Sequence, residues 1–199
     1  MSKISIAGAT TGTGTFTLAS PATNVDRVLT LPDEAGTVLT SAGVPASAMP
    51  AGSVIQVVST TKTNTETMSN SVYADVSGLS VSVTPTSTSS KILVLVNAHI
   101  NPLNSQGVQW QLVRGTTSIA VNNTTNPSTG GAYTDTGGAA GNIWIGTGVT
   151  YLDSPATTSE TTYKVQSRST GGGTYGVNRR TIANDFGGIS SITVMEIAA

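Results

Sequence analysis

Between Ser53 and Ile197 the apolar residues arrive in bursts of strand length, separated by connectors rich in Ser, Thr, Gly and Asn. No other feature restricts the possible folds as much. The bursts cover residues 54–60, 72–76, 79–84, 91–100, 107–114, 118–121, 142–152, 161–167 and 189–197. β-Branched and aromatic residues dominate them, as a pleated, half-buried surface prefers. No segment repeats its apolar residues with a helical period. Many short strands at this spacing predict an all-β fold, an antiparallel sandwich or barrel whose loops do the work.

Alternation picks out the core. Val108, Trp110 and Leu112 share one face of their strand, with Gln109 and Gln111 on the other. Ile143, Ile145, Val149 and Tyr151 share a face, as do Tyr163 and Val165. Two strands depart from the pattern. In 91–100, Leu93 and Leu95 lie opposite Ile92, Val94, Val96 and Ala98; in the last strand, Met195 and Ile197 lie opposite Ile192 and Val194. A strand apolar on both faces is buried on both faces. Burial by another subunit is the simplest source of that second cover, and it places Leu93, Leu95, Met195 and Ile197 at subunit contacts.

Charged residues are 10 % of the chain, against roughly 25 % in an ordinary soluble domain. So little charge fits a surface partly covered by other copies. The net charge of −1 gives no basic face for nucleic acid. Without cysteine there are no disulfides and no thiolate metal sites. The longest apolar run, 92–96, is far too short to span a membrane. Met1-Ser-Lys-Ile-Ser lacks a signal-peptide apolar stretch, so synthesis in a host cytoplasm without ordinary export is expected. The Asn-x-Thr matches at Asn122 and Asn123 then read as turn chemistry.

Three regions are expected. Residues 1–41 hold four very short β patterns, too small for a core of their own. Residues 42–53 contain Pro, Gly and small side chains and read as an extended linker. Residues 54–199 form the main domain. If its long strands run antiparallel, with 72–84 taken as one broken strand, the connections 61–70, 101–106, 122–141 and 168–188 fall at the tip, away from the linker. The connections 85–90, 115–116 and 153–160 then fall at the base.

Several segments resemble bacteriophage tail-fibre and virion-surface proteins of marine-phage type. One is Phe16-Thr-Leu-Ala-Ser-Pro-Ala-Thr-Asn-Val-Asp-Arg-Val-Leu-Thr-Leu-Pro-Asp-Glu-Ala-Gly-Thr-Val-Leu-Thr40. The others are Gly52-Ser-Val-Ile-Gln-Val-Val58, Leu79-Ser-Val-Ser-Val-Thr-Pro85, Ser89-Ser-Lys-Ile-Leu-Val94, Leu152-Asp-Ser-Pro-Ala-Thr-Thr158, Thr162-Tyr-Lys-Val-Gln166 and Ile192-Thr-Val-Met-Glu-Ile197. The resemblance implies a homotrimer with a C-terminal antiparallel jelly-roll head of C1q/TNF-like outline. It implies no catalytic residue and no cofactor.

The residues themselves offer little catalytic chemistry. His99 is the single histidine, so a zinc site would lack partners, and a hydrogen-bonded core or interface histidine is expected. No G-x-S-x-G elbow is present. Asp135 and Asp185 could pair as glycosidase carboxylates, although loop acids more often form turns. Tyr133, Tyr175, Asn178, Arg179 and Arg180 are the candidate receptor-binding residues, because aromatic, amide and guanidinium groups stack on and hydrogen-bond to sugars. The expectation is a non-enzymatic virion fibre or spike protein. Residues 1–41 would attach it to other virion proteins, and the head would meet a host-surface glycan or protein. A capsid decoration protein, a head fibre, or a tail or neck adaptor is the structural alternative. A short tailspike depolymerase is the third reading.

Overall fold

The computed structural model describes residues 44–103, 107–133, 146–180 and 187–199, with scattered positions between 11 and 28. The chain divides into two compact units, Met1–Leu39 and Thr40–Ala199. The short β patterns expected before residue 41 fall largely outside the described residues, as do Asp135, Ile143, Ile145 and Asp185.

The second unit contains two large antiparallel sheets. One is ordered β1 (Val54–Lys62), β12 (Ser190–Ile197), β4 (Lys91–Ala98), β9 (Thr147–Asp153). The other is ordered β3 (Ala74–Val83), β10 (Thr161–Ser169), β6 (Gly107–Arg114). Two short strands, β7 (Thr117–Ile119) and β8 (Gly130–Tyr133), share the remaining edge of β6. A small third sheet joins β2 (Glu66–Met68), β11 (Tyr175–Val177) and β5 (Ile100–Pro102). Among the described residues the only helical turn is a 3-10 turn at Ala46–Ala48.

The period of two builds the core. Val76, Leu79, Val81, Val83, Trp110, Leu112, Tyr163 and Val165 from one sheet meet Ile92, Val94, Val96, Ile192 and Val194 from the other, all buried. Each such side chain contributes roughly 1.5–3 kcal/mol on burial. Polar pins cross the sandwich at its base. Arg114 Nη1 lies 2.8 Å from each carboxylate oxygen of Asp153, and the Tyr163 hydroxyl donates to Asp153 Oδ2 at 2.7 Å.

The registers fix the two ends. Val54, Lys91 and Ile197 meet at the base with Asp153; Lys62, Ser190 and Asn97 meet at the other end of the same sheet. Residues 63–70, 99–103 and 170–180 therefore lie at the tip, where the third sheet ties them together. The expected tip loop 122–141 needs correction. Its first part runs along the flank of β6: Thr129 N donates to Trp110 O, and Thr129 Oγ1 accepts from Leu112 N, both at 2.9 Å. Among its described residues, Tyr133, paired with Gly107, returns to the tip.

Segments 72–76 and 79–84 form one strand, β3, broken by a bulge at Gly78, where φ is 72°, in keeping with their treatment as one broken strand. Two segments differ from expectation. Segment 91–100 is interrupted at His99, between β4 and β5. The region 42–53 is not simply extended. Beyond its 3-10 turn it is pinned to the chain end, with Gly52 N donating to Ala198 O at 2.8 Å and Ala198 N to Ser53 O at 2.9 Å.

Candidate functional site

The two large sheets turn outer faces of opposite chemistry to their surroundings. On the first, the registers align Val57, Met195, Leu93 and Leu152 in a continuous apolar row. Val57 and Leu152 are each 54 % exposed; Leu93, Leu95, Met195 and Ile197 are half-buried. Beside this row lie Ser59, Thr193, Leu95 and Thr150. A hollow of about 450 Å³ follows, lined by Leu95, Asn97, Gly148, Thr150 and Thr193. Gly148 suits this place because a Cβ there would stand 2.8 Å from the Val96 carbonyl oxygen.

The outer face of the second sheet is a ladder of polar side chains. Gln111 Nε2 donates to Gln166 Oε1, Gln166 Nε2 to Asp75 Oδ1, and Lys164 Nζ to Asp75 Oδ2, at 2.7–2.9 Å. The Gln166 and Lys164 bonds hold the Asp75 carboxyl below its ordinary range. Toward the tip the ladder ends at Arg168. Its Nε and Nη2 both donate to Gln109 Oε1, at 3.1 and 2.8 Å, and Nη2 also donates to Asn126 Oδ1 at 3.1 Å. The guanidinium carbon stands 4.7 Å from the centroid of the Tyr73 ring, a cation–π distance. Tyr73 is itself fixed by its hydroxyl, which donates to Pro127 O at 2.8 Å. Burial raises the Tyr73 pKa, against the opposing pull of Arg168.

These groups border a cleft of about 360 Å³ lined by Ser71, Gln109, Asn126, Arg168 and Thr170. An adjoining depression of about 220 Å³ shares Gln109 and Thr170 and is walled by Tyr133. Tyr133 is 63 % exposed.

Of the five residues expected to meet a receptor, Tyr133 alone lies by this cleft. The expectation that Tyr175 and Asn178 stand open on a loop is corrected, because both are 0 % exposed. Tyr175 belongs to the central strand of the third sheet; its hydroxyl donates to Asn70 Oδ1 at 2.8 Å and lies 3.0 Å from Ser167 Oγ. Burial raises its pKa. Asn178 has φ 57°, a left-handed conformation that Asn tolerates better than most residues. Its Nδ2 donates to Lys62 O at 2.8 Å and Asn64 O at 3.2 Å, its Oδ1 accepts from Ser190 Oγ at 2.6 Å, and its N donates to His99 O at 2.8 Å. It thus links four segments at the tip. Arg179 is half-buried and its Nη1 donates to Thr67 Oγ1 at 2.9 Å; Arg180 is half-buried beside it. His99 is half-buried in the same junction, its N donating to Ser190 Oγ at 3.0 Å, and burial lowers its pKa.

No group of His, Cys, Asp or Glu able to hold a metal occurs among the described residues. No helix there is long and apolar enough to cross a membrane. The cleft residue Gln109 and the ladder residue Gln111 were readable from alternation, which sets them opposite the core residues of their strand. Tyr73, Asn126 and Arg168 were not, because distant segments bring them together. The chain matches no protein-family model and none of the curated proteins it was compared with.

Proposed function

We propose that the chain is a non-enzymatic, trimeric phage virion protein of the fibre or spike type, with a jelly-roll head. The carrying observation is the contrast between the two outer faces. One sheet presents an apolar row with two side chains more than half exposed, while the other presents a hydrogen-bonded polar ladder. The apolar face is suited to the subunit contact and the polar face to solvent and host. The strand order supports the head type. The long strands β1, β3, β4, β6, β9, β10 and β12 pass alternately between the sheets, as in a two-sheet jelly roll.

Residues 1–41 serve as the module that joins other virion proteins, and the tip and flanks of the head meet a host-surface glycan or protein. The test is deletion of residues 1–41 followed by particle purification. The truncated protein is expected to remain a folded trimer and to be missing from particles; normal copy number on the virion would contradict the assignment. One observation favours the structural alternative, a decoration or adaptor role. The burial of Tyr175 and Asn178 removes two groups from any receptor surface. Immunogold labelling of whole particles separates the two, the fibre reading requiring label at the distal end of a tail or spike.

A further inference from the structure

We infer that the cleft beside Arg168 is a binding site for a carboxylate-bearing saccharide, an assignment that rests on the host-attachment reading above and gives it a ligand class. The argument turns on which polar atoms are already used. A side-chain amide ordinarily offers one acceptor oxygen with two lone pairs and two donor hydrogens. Here the Gln109 and Asn126 oxygens are both taken by the Arg168 guanidinium. A guanidinium only donates, so these amides must turn their oxygens to it and their nitrogens elsewhere. Among the described residues, Gln109 Nε2, Asn126 Nδ2 and Arg168 Nη1 donate no hydrogen bond. The cleft is thus lined by one cation and two amide nitrogens, each with donors to spare, while the Gln109 oxygen is filled by two bonds and the Asn126 oxygen keeps one lone pair.

That pattern selects a ligand. A neutral sugar hydroxyl donates as well as accepts, and to receive its proton the described lining side chains offer only serine and threonine hydroxyls and one lone pair of Asn126 Oδ1, against a larger set of free N–H donors. A carboxylate only accepts, and charge-assisted bonds to it are roughly twice as strong as neutral ones. Among the described residues no acidic side chain lines either depression. Asp75, farther along this face, is occupied by Lys164 and Gln166. A single cation is too little for a nucleic-acid backbone, which calls for a basic stripe. The exposed Tyr133 ring at the adjoining depression offers a flat apolar surface for a sugar ring.

The site is also built in advance. Arg168 is held by Gln109, Asn126 and the Tyr73 ring, and Tyr73 by Pro127 O. A long side chain already fixed loses less entropy on binding. The cleft lies on the face opposite the apolar row, so it stays open in the proposed trimer.

The test uses the full-length chain and two probes that differ only at one carbon, methyl β-D-glucuronide and methyl β-D-glucoside, followed by ligand-observed saturation-transfer NMR. The glucuronide is expected to bind in the ~1 mM range and the glucoside roughly tenfold or more weakly. Arg168→Gln is expected to remove glucuronide binding. Asn126→Asp keeps the acceptor that Arg168 uses and replaces a free donor by an anionic oxygen. It is expected to leave the melting temperature near wild type and weaken the glucuronide by roughly tenfold or more. Equal binding of the two glycosides would overturn the inference. So would glucuronide binding indifferent to both substitutions, no binding at tens of millimolar, or tighter binding of inorganic phosphate. If the protein adheres to host cells yet ignores the glucuronide, the site assignment fails and the attachment reading stands. If the glucuronide binds while particle labelling finds the protein away from any attachment organelle, the reverse holds.

Discussion

Glu196 is 0 % exposed at the base of the sandwich, and a buried carboxylate survives only with partners. Its Oε1 accepts from Thr86 N and Thr86 Oγ1 at 2.7 Å each, and its Oε2 from Gln56 Nε2. Burial alone would raise its pKa, but these bonds outweigh it and hold the carboxyl below its ordinary value of 4.5. The folded pKa is depressed, so the charged form stabilises the fold above the ordinary value, and the contribution is lost as pH falls through the folded one. Thermal melting from pH 7 to pH 3 should show the wild type losing stability below about pH 4.5. Glu196→Gln should be less stable at pH 7 by about 1–3 kcal/mol and should show a shallower acid limb. An unchanged acid limb in the variant would assign the loss to other groups. The same scale decides Tyr175. Tyr175→Phe should cost about 1 kcal/mol through the Ser167 and Asn70 bonds, and Tyr175→Ala about 3–5 kcal/mol through the emptied core; calorimetry checks both. Alternation marked Ile192 and Val194 as core, yet it did not show that Glu196 points inward with them. Nothing local announces a buried acid, whose partners Gln56 and Thr86 lie more than a hundred residues away in sequence.

β3 shows why element boundaries are harder to read than element existence. Val76 faces the core from an even position, and Leu79, Val81 and Val83 from odd ones. A change of parity within one strand requires an insertion, and Gly78 supplies it at φ 72°. The register jumps accordingly, from Ser80 opposite Lys164 to Asp75 opposite Gln166. The switch is visible in the sequence as two bursts of opposite parity that count as one broken strand, while the residue that makes the break is not. A Cβ at Gly78 would meet nothing within 4 Å, so Gly78→Ala isolates the backbone cost of that conformation. It should destabilise by about 1–2 kcal/mol in chemical denaturation without altering oligomeric state; a neutral effect would mean that the bulge relaxes. The long strands were legible because each buries one face. β2, β5 and β11 have three residues each, too few to display a period. They exist because the end of β1, the β4–β5 break and the segment after β10 converge on Asn178, a consequence of topology. Tyr175, Asn178, Arg179 and Arg180 therefore looked like a sugar-binding tip loop, when the first two are the frame of the tip.

At the scale of the whole molecule, the apolar outer row Val57–Met195–Leu93–Leu152 would leave two side chains more than half exposed in an isolated chain. The opposite face is polar, its side chains joined in a hydrogen-bonded ladder with donors left over at Arg168. Such asymmetry gives one face a reason to be covered and the other a reason to stay wet. Obligate interfaces resemble a core cut in half, and a glutamate in the middle of one leaves a buried charge without a partner. Native mass spectrometry of the full-length protein at micromolar concentration, with Leu93→Glu beside it, tests this most directly. The wild type is expected at three times the 20.1 kDa chain mass, and Leu93→Glu at the mass of a single chain with the β circular-dichroism spectrum retained. A wild-type protein that flies as a folded monomer, or a Leu93→Glu variant that remains trimeric, would contradict the account.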